Sequence, residues 1–94
     1  MVNKEYIERL QMVISHLHKC SSHYLKSVPV KETFRGETVW DGVVEVFEVD
    51  HPEAQRCYAW ATEEGQFTAV LGKPPVIDPV NAVKASIIAG LKRK

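Results

Sequence analysis

Two histidines and a cysteine near the amino terminus are the residues best suited to hold a metal ion. His16, Cys20 and His23 stand at i, i+4 and i+7, and on one helix they would lie within about 60° of one another. A structural zinc site normally takes four ligands in paired short spacings, and the chain has no CxxC or HExxH pattern. The alternative is that Cys20 belongs to a buried apolar stripe with the histidines beside it. We expect this second arrangement and predict no metal and no cofactor.

A cysteine and a histidine further along the chain could support nucleophilic catalysis. Cys57 follows His51 by six residues, and a histidine can act as the base that activates a thiol. A reactive thiol needs a partly exposed, electropositive setting, whereas the sequence around Cys57 is acidic. We therefore expect Cys57 to be a small buried side chain and predict no catalytic residue. A small enzyme that uses His51 and Cys57 remains as an alternative.

Six carboxylates in the middle of the chain could pair for acid–base chemistry. They are Glu45, Glu48, Asp50, Glu53, Glu63 and Glu64. Glu45 and Glu48 have opposite parity along a strand and so point to opposite faces. Solvated charges at sheet edges explain all six, because such charges discourage strand-to-strand aggregation. The chain also has no GxGxxG, GKS/T or GxSxG motif, so the sequence favours a binding protein over an enzyme.

Aromatic rings and an arginine form the predicted binding surface. Such side chains concentrate binding energy at interfaces, and we assign the surface to five residues: Trp40, His51, Arg56, Tyr58 and Trp60. Arg56, Tyr58 and Trp60 share one face of a predicted strand, whereas Cys57 and Ala59 lie on the other face. The alternative is that the rings fill the core, because side chains of this size bury a large area.

Two amphipathic helices are predicted to flank the strands. The first covers residues 3–26, with Asn3 as its N-cap and Glu5 in its first turn. Its apolar stripe repeats at spacings of three and four residues: Tyr6, Leu10, Val13, Leu17, Cys20 and Tyr24, with Ile14 beside them. The second helix opens at Asp78-Pro79, an N-cap followed by proline at the first helical position. Its predicted stripe is Val80, Val83, Ile87 and Leu91.

Three strands are predicted between the helices. Residues 38–49 are rich in β-forming side chains and are interrupted by Asp41-Gly42, which is either a bulge or a hairpin turn. We favour the bulge, and we leave residues 30–36 as strand or loop. Residues 55–62 and 66–72 follow as an antiparallel hairpin around a short turn.

These elements predict an α+β fold in a single domain covering residues 1–94. The order is helix, three-stranded antiparallel sheet, helix, with the two helices on one face of the sheet. The other face would then be bare. Because neither face of the predicted strand at 55–62 is polar, we expect it to be covered, either by an identical sheet in a homodimer or by a ligand, and we favour the homodimer.

The net charge conceals an uneven distribution. Twelve Lys/Arg and twelve Asp/Glu side chains give a formal charge of zero, which argues against a strongly basic nucleic-acid-binding protein. Residues 1–36 nonetheless carry a balance of +3, residues 37–72 of −7 and residues 73–94 of +4. The predicted helices are thus basic and the strands acidic. Two cysteines, polar first residues and the lack of a long apolar run favour a cytoplasmic protein without a membrane span.

Two resemblances add to these expectations. The stretches SVPVKETF (27–34), TVWDGVVEVFEV (38–49) and HPEAQRCYAW (51–60), with a last helix after Pro74-Pro75, resemble a group of small bacterial proteins without an established activity. This resemblance implies a bacterial origin and a stand-alone domain. The order of elements also resembles that of the double-stranded RNA-binding domain, with His51-Pro52 in the place of its minor-groove loop. That resemblance implies RNA binding through Lys/Arg contacts to phosphate.

The function predicted from these observations is that of a small, non-catalytic interaction or binding module that acts as a homodimer. Binding of double-stranded RNA or another nucleic acid through the basic helices is the first alternative. The second alternative is the small enzyme described above.

Overall fold

The computed structural model describes residues 3–62, 65–74 and 76–92. Its elements, in chain order, are α1 (Lys4–His18), β1 (Ser22–Phe34), β2 (Glu37–His51), β3 (Ala54–Ala61), β4 (Phe67–Leu71) and α2 (Pro79–Lys92). The strands form one antiparallel sheet in the order β1-β2-β3-β4. The α+β class is therefore confirmed, while the three-stranded sheet is wrong because a fourth strand, β1, precedes the three predicted ones. Neither of the described helices is long and apolar enough to cross a membrane.

The first helix begins where predicted and ends eight residues early. Asn3 Oδ1 accepts the N–H of Glu5 at 2.8 Å, which satisfies a free donor of the first turn. The helix ends at His18 because Lys19 adopts a left-handed conformation, with φ 56°, and its N–H bonds to the Ser15 carbonyl. The predicted continuation through Lys26 is wrong, since the chain enters β1 at Ser22.

The buried stripe of α1 lies one residue away from the predicted one. Ile7, Leu10 and Ile14 face the sheet, whereas Val13 is half-buried and Leu17 is exposed. The apolar residues of α1 therefore form two adjacent stripes along the helix. The stripe that includes Ile14 packs into the core.

The connection between β1 and β2 is a tight hairpin that the sequence did not reveal. Arg35 and Gly36 both have positive φ, 54° and 82°, as a type I′ turn requires. Asp41-Gly42 is neither a turn nor a bulge, because both residues pair regularly with β1. The bulge lies at Val39, where the register with β1 shifts.

Each helix covers its own face of the sheet. The core under α1 contains Ile7, Leu10, Ile14, Cys20, Phe47, Val49, Cys57 and Ala59. The core under α2 contains Val30, Val44, Val46, Tyr58, Trp60, Val76, Ala82 and Val83. The prediction that both helices share one face is wrong, because successive residues of β3 alternate between two cores. Each face of the described sheet thus carries a helix, so the two helices do not form one positive side, and α1 itself has Lys4 and Arg9 balanced by Glu5 and Glu8.

The second helix and the last hairpin follow the prediction closely. Asp78 Oδ1 accepts the N–H of Asn81 at 2.7 Å, and α2 begins at Pro79. Of the predicted stripe, Val83 is buried and Ile87 partly buried, whereas Val80 is exposed; the side chain of Leu91 and the turn residues Glu63 and Glu64 lie outside the described part of the chain.

Candidate interaction site

The five residues of the predicted binding surface lie in one row along the α2 side of the sheet, and α2 covers the middle of that row. Tyr58 and Trp60 are 5% and 2% exposed and belong to the core under α2. Trp40 lies at one end of the row, and Arg56 and His51 lie at the other. Tyr58 and Trp60 therefore fill the core, which was the alternative given for the aromatic rings. Trp40 at one end of the row and Arg56 with His51 at the other form two separate surfaces.

The Trp40 end is shaped by a glycine and a second tryptophan. The rings of Trp40 and Trp60 meet edge to face, with 5.7 Å between centroids. A Cβ atom on Gly42 would come within 3.2 Å of the Trp40 ring, so the missing side chain makes room for that ring. Trp40 remains half-buried, with part of its ring open to solvent.

Beside Trp40, β2 and β3 part from each other. Their ladder ends at the pair Glu45 and Ala59, although β2 continues back to Glu37. The next N–H of β3 that would join the ladder, that of Ala61, donates instead to the Tyr6 hydroxyl at 2.9 Å. A cavity of about 410 Å³ opens between the strands. We call it the fork, and its walls are residues 39–43 of β2, residues 60–62 and Ser86 of α2.

A buried carboxylate lies next to the fork on the α1 side. Glu45 is 5% exposed, so its interpretation as a solvated edge charge is wrong. It accepts a hydrogen bond from the Ser27 hydroxyl, and Ser27 in turn bonds to the Tyr24 hydroxyl at 2.6 Å. The pKa of Tyr6 is raised by burial and by the charge of Glu45, with the Ala61 hydrogen bond acting against them. Glu45 therefore holds together a polar cluster where α1 meets β1 and β2.

The opposite end of the row forms a second cavity, of about 500 Å³. His51 Nδ1 accepts the Glu53 N–H at 3.0 Å, and Arg56 lies 3.5 Å from a Glu48 carboxylate oxygen. Lys73 bonds to Glu53 at 2.8 Å, which lowers the pKa of that carboxyl. The cationic groups of this cavity are thus already paired with carboxylates, and these ion pairs are largely exposed.

The cysteines are placed where they cannot act as nucleophiles. Cys57 is fully buried under α1, and burial, together with the nearby Cys20, raises the pKa of its thiol to about 12. Burial and the charge of Asp50 also raise the pKa of Cys20. This placement argues against the alternative of an enzyme with Cys57 as its nucleophile, because the reactive species is the thiolate.

The three candidate metal ligands, His16, Cys20 and His23, are not brought together. His16 is exposed on α1, Cys20 is buried beyond the helix end and His23 lies exposed on β1. Within residues 3–62, 65–74 and 76–92, no group of three or more His, Cys, Asp or Glu side chains is arranged to hold a metal ion.

The largest apolar groove of the described surface was not predicted. Its apolar wall consists of Met12, Val13, Leu17 and Phe67, which we call the α1 groove. It has a volume of about 890 Å³, and Met12 and Leu17 are 71% and 55% exposed. The sequence signal was the second apolar stripe on α1, which we had assigned to the core.

The α1 groove borders the unprotected edge of the sheet. The edge strand β4 contains no charge and no proline, whereas the other edge strand, β1, carries Lys26, Pro29 and Lys31. Such residues are the usual protection of an edge against a further strand. On β4 the protection comes from a side chain of α1, since His18 Nε2 bonds to the Ala69 carbonyl at 3.0 Å.

Comparison with known proteins adds no relative: no family model, no curated protein and no solved structure matches the chain.

Proposed function

We propose that the protein is a non-catalytic interaction module that works as a homodimer joined through the α1 groove. The observation that carries the proposal is the exposure of Met12 and Leu17 beside the half-buried Val13 and Phe67. Contiguous exposed apolar surface on a small domain usually marks an interface. This role retains the function predicted from the sequence and moves its surface from the sheet face to the flank of α1.

A second copy of the chain is the partner that fits this surface. In a two-fold dimer the same patch must serve both partners. Here the exposed Met12 and Leu17 lie beside the half-buried Val13 and Phe67. Across a two-fold axis, Met12 and Leu17 of one copy would pack against Val13 and Phe67 of the other. The contact would bury apolar area on both copies, which is the main favourable term in association.

The partner is expected to lie across the groove and not to extend the sheet. The Ala69 carbonyl accepts the His18 bond, and the Leu71 carbonyl accepts the N–H of Lys73 at 3.0 Å. Two carbonyls of the short strand β4 are therefore already bonded within the chain. A contact between helix flanks leaves both bonds in place.

The test compares two leucine-to-glutamate variants. Leu17 lies in the groove and Leu25 on β1, and they are 55% and 44% exposed, so neither substitution puts a charge into the core. Size-exclusion chromatography with light scattering gives the mass of each variant at about 100 μM, within the affinity range of small interfaces. We expect wild type and Leu25→Glu near twice 10.6 kDa and Leu17→Glu near 10.6 kDa. Wild type that stays monomeric, or a Leu17→Glu variant that stays dimeric, contradicts the proposal.

A further inference from the structure

The fork presents a length of strand edge to which no strand of the described chain is bonded. The pairing of β2 with β3 stops at Glu45, while its pairing with β1 continues to Glu37. Residues 37–44 therefore form a ladder on one side only. We propose that the fork is a second binding site, in which an extended peptide with alternating apolar and basic residues pairs with β2. The proposal is independent of the dimer.

The hydrogen-bonding direction of β2 follows from the bonds of β3. The Gly72 N–H donates to the Arg56 carbonyl at 2.7 Å, so Arg56 directs its backbone groups towards β4. Antiparallel strands alternate these directions residue by residue. Ala59 and Ala61 therefore direct theirs towards β2, in agreement with the Ala61 N–H that reaches into the fork.

The same alternation places the open backbone groups of β2. Because Glu45 pairs with Ala59, the backbone groups of Val43 and Asp41, two and four residues earlier, also point towards the fork. The opposite neighbour of Val43 on β1 is Pro29, which has no N–H to offer. Pro29 fits there because its nitrogen points to the outer edge of β1. The N–H and C=O groups of Asp41 and Val43 thus point into the fork, where no ladder pair with a described residue of β3 reaches them.

The two faces of the fork differ in chemistry, and this difference selects the occupant. On the α2 side the wall is aromatic, with Trp40 half-buried over Gly42. On the α1 side lies Asp41, which makes no ion pair or side-chain hydrogen bond with any described residue. Of the five Asp/Glu side chains of β2, Asp41 is the one in the described wall of the fork, and its cross-strand neighbour on β1 is Lys31. An added strand with apolar residues towards Trp40 and basic residues towards Asp41 complements both faces.

The length and width of the fork suit a short segment. About three peptide residues cover the stretch from Asp41 to Val43 at about 3.3 Å each. The wider cavity of about 410 Å³ also takes the side chains that face Trp40. The bulge at Val39 increases the twist of the arm beyond that point, so pairing is expected to stop there.

The experiment titrates the protein with the blocked hexapeptide KVKVKV and, as a control of equal length and alternation, with EVEVEV. Neither peptide contains tryptophan, so the intrinsic fluorescence of Trp40 and Trp60 reports on the fork. We expect a saturable change with KVKVKV below about 1 mM, as for a small strand-addition site, and none with EVEVEV. An absent response to KVKVKV, or an equal response to both peptides, overturns the proposal.

Two proline variants separate strand addition from nonspecific attraction. Val43→Pro removes an N–H that points into the fork, and Lys31→Pro removes one that points to the outer edge of the same arm. Both leave the β1–β2 ladder bonds in place, and circular dichroism checks the fold. We expect Val43→Pro to weaken KVKVKV binding about three- to tenfold, the loss of about one backbone hydrogen bond, and Lys31→Pro to bind like wild type. Equal binding by Val43→Pro and wild type overturns the proposal.

If Val43→Pro does not fold, a charge variant tests the proposal in its place. Asp41→Lys changes an exposed side chain and leaves the backbone unaltered. We expect it to abolish KVKVKV binding and to strengthen EVEVEV binding. If KVKVKV binding persists, the proposal is wrong. If a second copy occupies the fork instead, Val43→Pro lowers the mass of the dimer and KVKVKV does not bind, which also overturns it.

Discussion

The Tyr6 hydroxyl accepts the backbone N–H of Ala61 at 2.9 Å, and this bond takes the place of the next rung between β2 and β3. A side chain from the first turn of α1 thereby lies at the point where the β2–β3 ladder ends and the fork begins. The bond also ties the amino-terminal helix to the end of β3, 55 residues away in sequence.

Replacement of Tyr6 by phenylalanine removes this acceptor and keeps the ring. We expect the free energy of unfolding to fall by about 1 kcal/mol, the usual net contribution of one hydrogen bond. The amide of Ala61 should exchange its hydrogen faster, while the amides of Cys57 and Ala59 keep their protection. Urea unfolding and hydrogen exchange followed by NMR measure both effects. Unchanged exchange at Ala61 would mean that the hydroxyl does not hold the strand end.

The buried carboxylate of Glu45 makes a contribution that an exposed carboxylate does not. Glu45→Ala removes the buried acceptor of the part-buried Ser27 hydroxyl, which keeps only the Tyr24 hydroxyl as its partner, so we expect a loss of about 1–3 kcal/mol. Glu48→Ala is the matched control on the same strand, because its pair with Arg56 lies at the surface and should change stability by less than about 1 kcal/mol. The two values come from urea unfolding at neutral pH. Equal losses for the two variants would contradict the buried role of Glu45.

The buried thiol of Cys57 predicts a loss of stability at alkaline pH. Its pKa rises from 9.0 to about 12 on folding, so above pH 9 the unfolded chain releases a proton that the folded chain retains. The contribution of Cys57 to stability should therefore be constant below pH 9 and fall above it, by at most about 1.4 kcal/mol per pH unit. Urea unfolding between pH 8 and 10 measures the slope, and Cys57→Ala should reduce it. A slope that is the same in the variant would assign the effect to other groups, such as Cys20.

The structural features that depend only on residues close together in sequence could be predicted from the sequence. Asp78-Pro79 and Asn3 mark the starts of the helices because each cap uses atoms within three residues of itself. The hairpin of β3 and β4 follows from two apolar runs around a short turn. The end of α1 could not be predicted, since Cys20 and Tyr24 continue the helical spacing by coincidence. The left-handed conformation that ends the helix occurs at Lys19, whereas the residue that usually indicates such a helix end in a sequence is glycine.

The candidate site was less predictable because it depends on which apolar residues the core leaves out. Leu17 and Ile14 are equally apolar, and only the docking of α1 on the sheet decides that Ile14 is buried and Leu17 exposed. In the same way, the parity of Glu45 shows that it faces away from Glu48, but not that α1 covers that face. Trp40 was chosen as a surface residue from its residue type alone. Its place beside the fork could not be predicted, because the ladder ends where Ala61 bonds to Tyr6, a residue 55 positions away in sequence.

The most direct test of the central claim is the detection of contacts between copies across the α1 groove. A sample that mixes isotope-labelled and unlabelled protein, studied by isotope-filtered NMR, shows only contacts between different molecules. The account predicts cross-peaks from the Met12 and Leu17 methyl groups of one copy to the Phe67 ring of the other. A sample without such cross-peaks, or with cross-peaks from Leu25 on β1 in their place, would contradict it.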